Sequence, residues 1–129
     1  MTRFLIFFYF VKQIEKNYSS IYGYRPDRNQ KDVIMVVGTG KIKFKLYGIG
    51  SLKEKRRIVK SIINRIKNKF NISIAETDYN DSYLWVQIGF SIIGNDSRVV
   101  NSKLDKVFNM ADDIGLAQIA DTQMEIIHL

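Results

Sequence analysis

The sequence predicts an α+β domain in which two helices cover one face of a four-stranded antiparallel sheet. Two stretches alternate between apolar and polar residues, as the strands of a half-buried sheet do. Two longer stretches repeat apolar residues at helical spacing, and each follows residues that cap helices. These elements follow one another in the order β-α-β-β-α-β. Two similar strand–helix–strand halves interleave most simply as one such sheet.

The first strand is predicted over residues 41–46, where the side chains alternate strictly. Its two faces carry Lys41, Lys43 and Lys45 on one side and Ile42, Phe44 and Leu46 on the other. A strand of this kind has one face on a core and one face in water. Gly48 and Gly50 follow, and they permit a sharp change of direction before the next element.

The first helix is predicted to begin after Ser51, with Glu54 three residues later. This spacing is a capping box, in which the Ser hydroxyl accepts an N–H at the start of the helix and the Glu side chain reaches back. The apolar stripe consists of Leu52, Val59, Ile62, Ile63, Ile66 and Phe70. The polar flank consists of Lys53, Arg56, Arg57, Lys60, Asn64 and Lys67. The stripe predicts an amphipathic helix that packs on the sheet.

The next two strands are predicted to form a hairpin. Residues 71–79 predict the second strand, with Ile72 and Ile74 facing inward, and residues 80–82 (Asn-Asp-Ser) predict a turn. The third strand is predicted over residues 84–93, and its inward side chains are Leu84, Val86, Ile88, Phe90 and Ile92. Trp85 therefore belongs to the opposite face of the third strand.

The second helix and the last strand complete the order. Residues 94–97 (Gly-Asn-Asp-Ser) stop the third strand and offer N-cap residues, and Gly115 is placed to end the helix. Its inward stripe is Val100, Leu104, Val107, Phe108, Ala111 and Ile114. Residues 117–129 predict a fourth strand with a less regular alternation. The arrangement is the ferredoxin-like fold, and it would place the three lysines of the first strand and Trp85 on the face that no helix covers.

The composition is that of a globular domain without the residues of common catalytic sites. The chain has 129 residues, of which 46% are apolar and 26% are charged. It has no cysteine, which excludes a disulfide framework, a thiolate zinc site and a cysteine nucleophile. Its single histidine, His128, adjoins the C-terminus. We therefore expect no enzyme activity, no metal and no cofactor.

The net charge of +7 is unevenly distributed along the chain. Residues 33–70 contain eleven Lys and Arg and a single acid, Glu54, whereas residues 71–129 contain three bases and nine acids. A polarised charge distribution concerns partners rather than the fold. The partner of the basic half is expected to be an anion.

Residues 1–34 are predicted to be an extension of a domain that spans residues 35–129. Residues 4–11 are apolar, but this run is too short for a membrane span, and no small-residue cleavage site follows it. Three interpretations remain: an accessory amphipathic element, a weak surface anchor, or upstream sequence from a wrong start codon. We favour the last, because Met35 begins a stretch with all the elements of the fold.

Several motifs together resemble the YlxP-like family, a small bacterial family of unassigned molecular function. The matching motifs are Ser51-Leu52-Lys53-Glu54-Lys55-Arg56, Phe70-Asn71-Ile72-Ser73-Ile74-Ala75-Glu76, Asn95-Asp96 and Leu104-Asp105-Lys106-Val107. The similarity covers about residues 35–129. The resemblance implies a ferredoxin-like fold and a bacterial cytoplasmic protein. It also implies a gene neighbourhood that includes translation and ribosome-assembly genes.

The leading functional prediction is a non-catalytic accessory protein that binds RNA or a ribosomal subunit, with a role in ribosome assembly or translation, and does not bind membranes. Its basic strand and helix would contact the phosphate backbone, and Trp85 would stack on a base. The predicted binding residues are Lys41, Lys43, Lys45, Lys53, Lys55, Arg56, Arg57, Lys60 and Trp85. The alternative for the lysines is solvation of an exposed sheet face, and for Trp85 it is a contact in a dimer or with the extension.

Two other classes of function stay open at this point. An acylphosphatase-like hydrolase also uses this order of elements, with a phosphate-binding loop before the first helix, and Gly48, Gly50 and Arg56 superficially suit it. However, Arg56 lies outside the loop, and no asparagine is suitably placed to orient water. A homodimeric regulatory domain is the second alternative, with strands that pair across an edge or sheet faces that stack.

Overall fold

Four strands and two helices make up residues 35–129, the part of the chain that the computed structural model describes. In chain order they are β1 (Val36–Lys45), α1 (Leu52–Lys69), β2 (Ser73–Asp78), β3 (Trp85–Gly94), α2 (Ser97–Asp113) and β4 (Gln118–His128). The predictions for residues 1–34 lie outside this part of the chain. Neither helix among residues 35–129 is long and apolar enough to span a bilayer.

The strands form one antiparallel sheet in the order β2-β3-β1-β4, which confirms the predicted ferredoxin-like fold. β1 is a central strand. Its pairing with β3 runs from Val36 opposite Gly94 to Lys45 opposite Trp85. The outer strands β2 and β4 pair with β3 and β1, and each pairing contains one shift of register.

β1 begins at Val36, five residues before the predicted strand. The prediction began too late because Gly38 and Gly40 interrupt the apolar alternation of these residues. Both glycines are buried and continue the inward-facing side of the strand. A Cβ at Gly38 would lie 2.5 Å from a methyl carbon of Val100, and one at Gly40 would lie 2.3 Å from the Phe90 ring. Glycine is therefore the residue that lets α2 and the Phe90 ring approach the backbone of β1.

The core lies between the sheet and the two helices. Inward side chains of β1 and β3 pack against the stripes of α1 and α2, as predicted from their spacing. The fully buried members include Ile42, Phe44, Leu46, Ile62, Ile66, Val86, Ile88, Leu104 and Val107. Leu84 is an exception: it precedes β3, is 42% exposed and does not belong to the core.

The predicted helix ends are confirmed. Ser51 Oγ accepts the N–H of Glu54, and Glu54 Oε2 accepts the N–H of Gly50, which together form the capping box. Asp96 caps α2 by accepting the N–H of Arg98. This hydrogen bond is the main cause of the lowered pKa of Asp96. Gly115 has a φ of 71°, the left-handed conformation that commonly follows the end of a helix.

Candidate nucleic-acid interface

One face of the sheet carries the odd-numbered residues of β1, and both helices pack on the other face. The even-numbered side of β1 meets α2 at Gly38, and Glu76, on the same side of the sheet, contacts α1. Residues directly opposite in neighbouring strands point to the same face. The face opposite to α1 and α2 therefore carries Lys41, Lys43 and Lys45 together with Gly89, Gln87 and Trp85 of β3. The prediction that these lysines and Trp85 share one face, opposite to the two helices, is in accord with this register.

Two lysines and three aromatic rings gather at one end of this face, and we call these five residues the lysine–aromatic cluster. Lys43 Nζ lies 4.2 Å from the centre of the Trp85 ring and 5.1 Å from that of Tyr79. Lys45 Nζ lies 5.6 Å from the Trp85 centre and 5.4 Å from that of Tyr47. Each distance is within the range of a cation–π interaction. The rings therefore hold two ammonium groups near one indole.

The two ammonium groups of the cluster have no carboxylate partner within residues 35–129. The ion pairs in this part of the chain are Lys55–Glu76 and Arg98–Asp96. Asp121 of β4 lies opposite Lys43 in the register, but the two side chains do not form an ion pair. Like charges that are placed close together without a counterion favour the binding of an anion.

The cations predicted on α1 lie in the other layer of the domain. Lys53, Arg56, Arg57 and Lys60 are all exposed, so they are available to solvent. However, α1 packs on the face of the sheet opposite to the lysine–aromatic cluster. The sequence predicts one cationic surface from the strand and the helix, whereas the structure divides these residues between two sides of the sheet.

Lys55 is not part of either surface, and its prediction as a phosphate contact is corrected. Its side chain is fully buried, because it lies on the inward side of α1. Lys55 Nζ donates to Glu76 Oε1 at 2.9 Å and also to the carbonyl oxygen of Tyr79. An external phosphate could not reach this ammonium group without breaking the buried pair.

The N-terminus of α1, which follows the loop of the acylphosphatase alternative, already has a carboxylate of the chain beside it. Glu54 Oε2 accepts the Gly50 N–H at 3.1 Å. This amide is therefore not offered to a phosphate, and a negative charge stands beside the helix start. The acylphosphatase alternative depends on this loop, and it stays a prediction without an observation in its favour.

Sequence reasoning did not include Tyr47 or Tyr79 in the site. Tyr47 is the next odd-numbered residue after Lys45, so it continues the outward-facing side of β1, and it is 64% exposed. The alternation could therefore have identified it. Its hydroxyl donates to Gln118 of β4 at 2.7 Å. Tyr79 carries no such signal, because a register shift near the end of β2 and a φ of 61° determine where its ring lies.

Comparison with known proteins identifies the family of this domain. The family described as "Protein of unknown function (DUF503)" matches residues 37–124. The "Uncharacterized protein YlxP" of Bacillus subtilis (strain 168) is 32% identical over 77 residues, which cover 60% of this chain and 84% of that protein.

Two solved structures are less similar. The "De novo designed protein Foldit4" has a TM-score of 0.43 and 13% identity over 74% of this chain and 96% of its own. An amidase of the hydantoinase/carbamoylase family from Burkholderia multivorans has a TM-score of 0.31 and 18% identity over 75% of this chain and 30% of its own. The family match covers most of the chain and confirms the resemblance found in the motifs. The chain therefore belongs to the DUF503 family, the YlxP-like proteins.

Proposed function

We propose that this domain binds RNA through the lysine–aromatic cluster and acts as a non-catalytic, ribosome-associated accessory protein of the cytoplasm. The observation that carries the proposal is the pair of ammonium groups, Lys43 and Lys45, that stand on aromatic rings without a carboxylate partner among the described residues. A phosphodiester supplies the missing negative charge, and binding it releases counterions from the nucleic acid.

The chemistry of the cluster favours single-stranded RNA over a duplex. Bases of a single strand are free to stack on aromatic side chains, while the phosphates contact neighbouring lysines. Tyr47 is the most exposed aromatic ring of the cluster and offers such a stacking surface. Among residues 35–129, no helix lies on the sheet face that carries the cluster, so none projects from this face into a groove.

Ribosomal RNA is the proposed target because of the genetic setting that the family resemblance implies. Genes of translation and ribosome assembly suggest a role at the ribosome by association only. The fold by itself assigns no function. The proposal of phosphate binding therefore depends on the cluster, and the choice of ribosomal RNA depends on this setting.

Fluorescence anisotropy with a labelled single-stranded RNA oligonucleotide tests the proposal. The test variant is Lys43→Gln/Lys45→Gln, and the matched control is Lys53→Gln/Lys60→Gln, which removes the same charge from α1 on the other side of the sheet. We expect the test variant to bind more weakly and to have a salt slope lower by about 0.7 for each lost phosphate contact. The control should retain the slope of the wild type.

Three outcomes would contradict the proposal, and a fourth would favour an alternative function. Equal losses in the two variants would show that net charge, and not the cluster, determines binding. A wild-type chain that does not bind single-stranded RNA at low salt would exclude the cluster as an RNA site. Recovery of neither ribosomal RNA nor ribosomal protein from the native host at low salt would exclude the ribosomal target. A dimer in light scattering that Trp85→Ala converts to a monomer would favour the homodimeric alternative.

A further inference from the structure

We infer that the buried Lys55–Glu76 pair is a positioning device that holds the β2–β3 turn, and thereby the aromatic rings, against the lysines of the cluster. This inference rests on the proposed function for its biological meaning, but its structural part can be tested without RNA. Lys55 does not touch the proposed ligand. It acts through Tyr79 and Trp85.

Lys55 is the one buried charged residue among residues 35–129, and the Glu76 side chain is 16% exposed. A buried ion pair seldom adds stability over an apolar pair of similar volume, since desolvation of both charges opposes their attraction. Stability therefore does not explain the presence of a lysine on the inward side of α1, and we look for another role.

Lys55 Nζ also donates to the carbonyl oxygen of Tyr79. Tyr79 has a φ of 61°, a left-handed conformation that is uncommon for residues other than glycine. The same carbonyl accepts the N–H of Ser82 at 3.0 Å. A charged donor thus fixes the carbonyl that closes the turn, while the Tyr79 ring lies against Lys43.

Hydrogen bonds to Ser82 link the turn to Trp85. Ser82 Oγ accepts the N–H of Trp85 at 3.0 Å and that of Leu84 at 3.2 Å. The turn that Lys55 holds at Tyr79 therefore also anchors the start of β3 at Trp85. Both rings that contact Lys43 belong to this one hydrogen-bonded segment, residues 79–85.

These contacts form a continuous path from the interior of α1 to the lysine–aromatic cluster. If the pair were replaced by apolar residues, the fold would lose no core contact with the sheet, but the turn would lose its charged donor. Tyr79 and Trp85 would then vary in position relative to Lys43. The expected consequence is a folded domain with a disordered binding surface.

The experiment compares the full-length wild type with Lys55→Met/Glu76→Met, which removes both charges and leaves neither one unpaired. Trp85 is the only tryptophan of the chain, so its fluorescence reports on the cluster alone. Iodide and caesium quench an exposed indole, and nearby ammonium groups favour the anion over the cation. The ratio of iodide to caesium quenching therefore measures how close the two lysines stay to Trp85.

We expect the variant to retain its circular dichroism spectrum and a cooperative thermal transition. The iodide preference of Trp85 should fall toward the value in Lys43→Gln/Lys45→Gln. RNA affinity should fall about tenfold, which is the effect of losing one stacking contact. The matched control is Lys67→Met, which removes a charge from the exposed side of the same helix and should change neither readout.

An unchanged iodide preference in a folded variant would overturn the inference. Should the double variant fail to fold, Ser82→Ala decides, because it breaks the link to Trp85 on the surface and leaves the buried pair intact. An unchanged iodide preference in Ser82→Ala would then refute the inference. If the preference falls but the wild type binds no RNA, the positioning role stands and the proposed function fails.

Discussion

Lys43 Nζ lies 4.2 Å from the centre of the Trp85 ring, on the sheet face opposite to the helices. The two residues come from neighbouring strands and are offset by two residues in the register, since Lys43 is opposite Gln87 and Trp85 is opposite Lys45. Diagonal neighbours of this kind are within reach of long and aromatic side chains. The contact therefore follows from the register of β1 with β3, and it defines the centre of the proposed binding surface.

Substitution of Trp85 should weaken RNA binding in a way that differs from substitution of the lysines. Trp85→Leu removes a stacking surface and keeps every charge, so we expect a loss of about 1–3 kcal/mol in binding free energy with little change of the salt slope. Anisotropy titrations at several salt concentrations measure both quantities. The control is Leu129→Ala, at an exposed apolar residue that follows β4 and is distant from Trp85 in the chain. A Trp85→Leu variant that binds as tightly as the wild type would remove Trp85 from the site.

Removal of only one member of the buried ion pair should be costly. Lys55→Ala leaves Glu76 without its cation partner and creates a cavity, so we expect a loss of about 3–5 kcal/mol in the free energy of unfolding. Lys55→Met/Glu76→Met should stay within about 1 kcal/mol of the wild type, because no charge remains unpaired. Urea denaturation followed by circular dichroism measures both.

The exposed pair of α2 provides the comparison for the buried one. The Arg98 side chain is 91% exposed, and its Nη2 lies 3.6 Å from Oδ2 of Asp96. Pairs of this kind contribute little to stability, because water and salt screen them. A loss in Arg98→Ala as large as that in Lys55→Ala would contradict the assignment of the cost to burial.

Gly40 is expected to tolerate no side chain. An added Cβ would lie 2.3 Å from the Phe90 ring, which itself packs edge-on against Phe108 with ring centres 5.3 Å apart. Gly40→Ala should therefore cost about 1–3 kcal/mol of stability through overpacking. At Gly50 the nearest atom to an added Cβ is 3.8 Å away, so Gly50→Ala should change stability by no more than about 0.5 kcal/mol. Equal effects in thermal denaturation would contradict the packing argument.

Glu125 is expected to make stability depend on pH. Burial raises the pKa of this carboxyl group, and its Oε1 has no hydrogen-bond partner among residues 35–129. The folded state then binds the proton more tightly than the unfolded state does. The resulting stabilisation is complete below the unfolded-state pKa and is lost as the pH rises through the folded-state pKa.

The substitution Glu125→Gln removes this titration. We expect a higher Tm than that of the wild type at about pH 7 and no such gain at about pH 4, near the ordinary pKa of glutamate. Asp121→Asn, at an exposed acid on the same strand, is the control and should show no comparable change between the two pH values. A gain of equal size at both pH values would mean that the amide acts by packing and not by loss of the charge.

Much of the fold was predictable because its signals are local. The capping box of Ser51 and Glu54 predicted the start of α1, and alternation predicted which residues of β3 face the core. The predictions were incomplete where packing between elements decides. β1 extends back to Val36 because its inward glycines accommodate the side chains of α2 and Phe90, and no local pattern shows such a close approach.

The candidate site was predictable only in part, for the same reason. Alternation placed Lys43, Lys45 and Trp85 on one face, and its continuation includes Tyr47. The position of Tyr79 depends on a register shift and a left-handed turn residue. Lys55 occupies an apolar position of the helical wheel, but its partner Glu76 is 21 residues away in the chain, so spacing could not identify the pair.

The sequence by itself determined the order of elements, the capping of both helices and the two faces of each central strand, since periodicity and capping depend on residues that are near in the chain. Only the tertiary structure decided which cations share a surface. The sheet separates the lysines of β1 from the cations of α1, and the half-buried carboxylate of Glu76 withdraws Lys55 from both. Contacts between residues distant in the chain decide these points, because a charge becomes available or neutralised only when the elements that carry it have packed together.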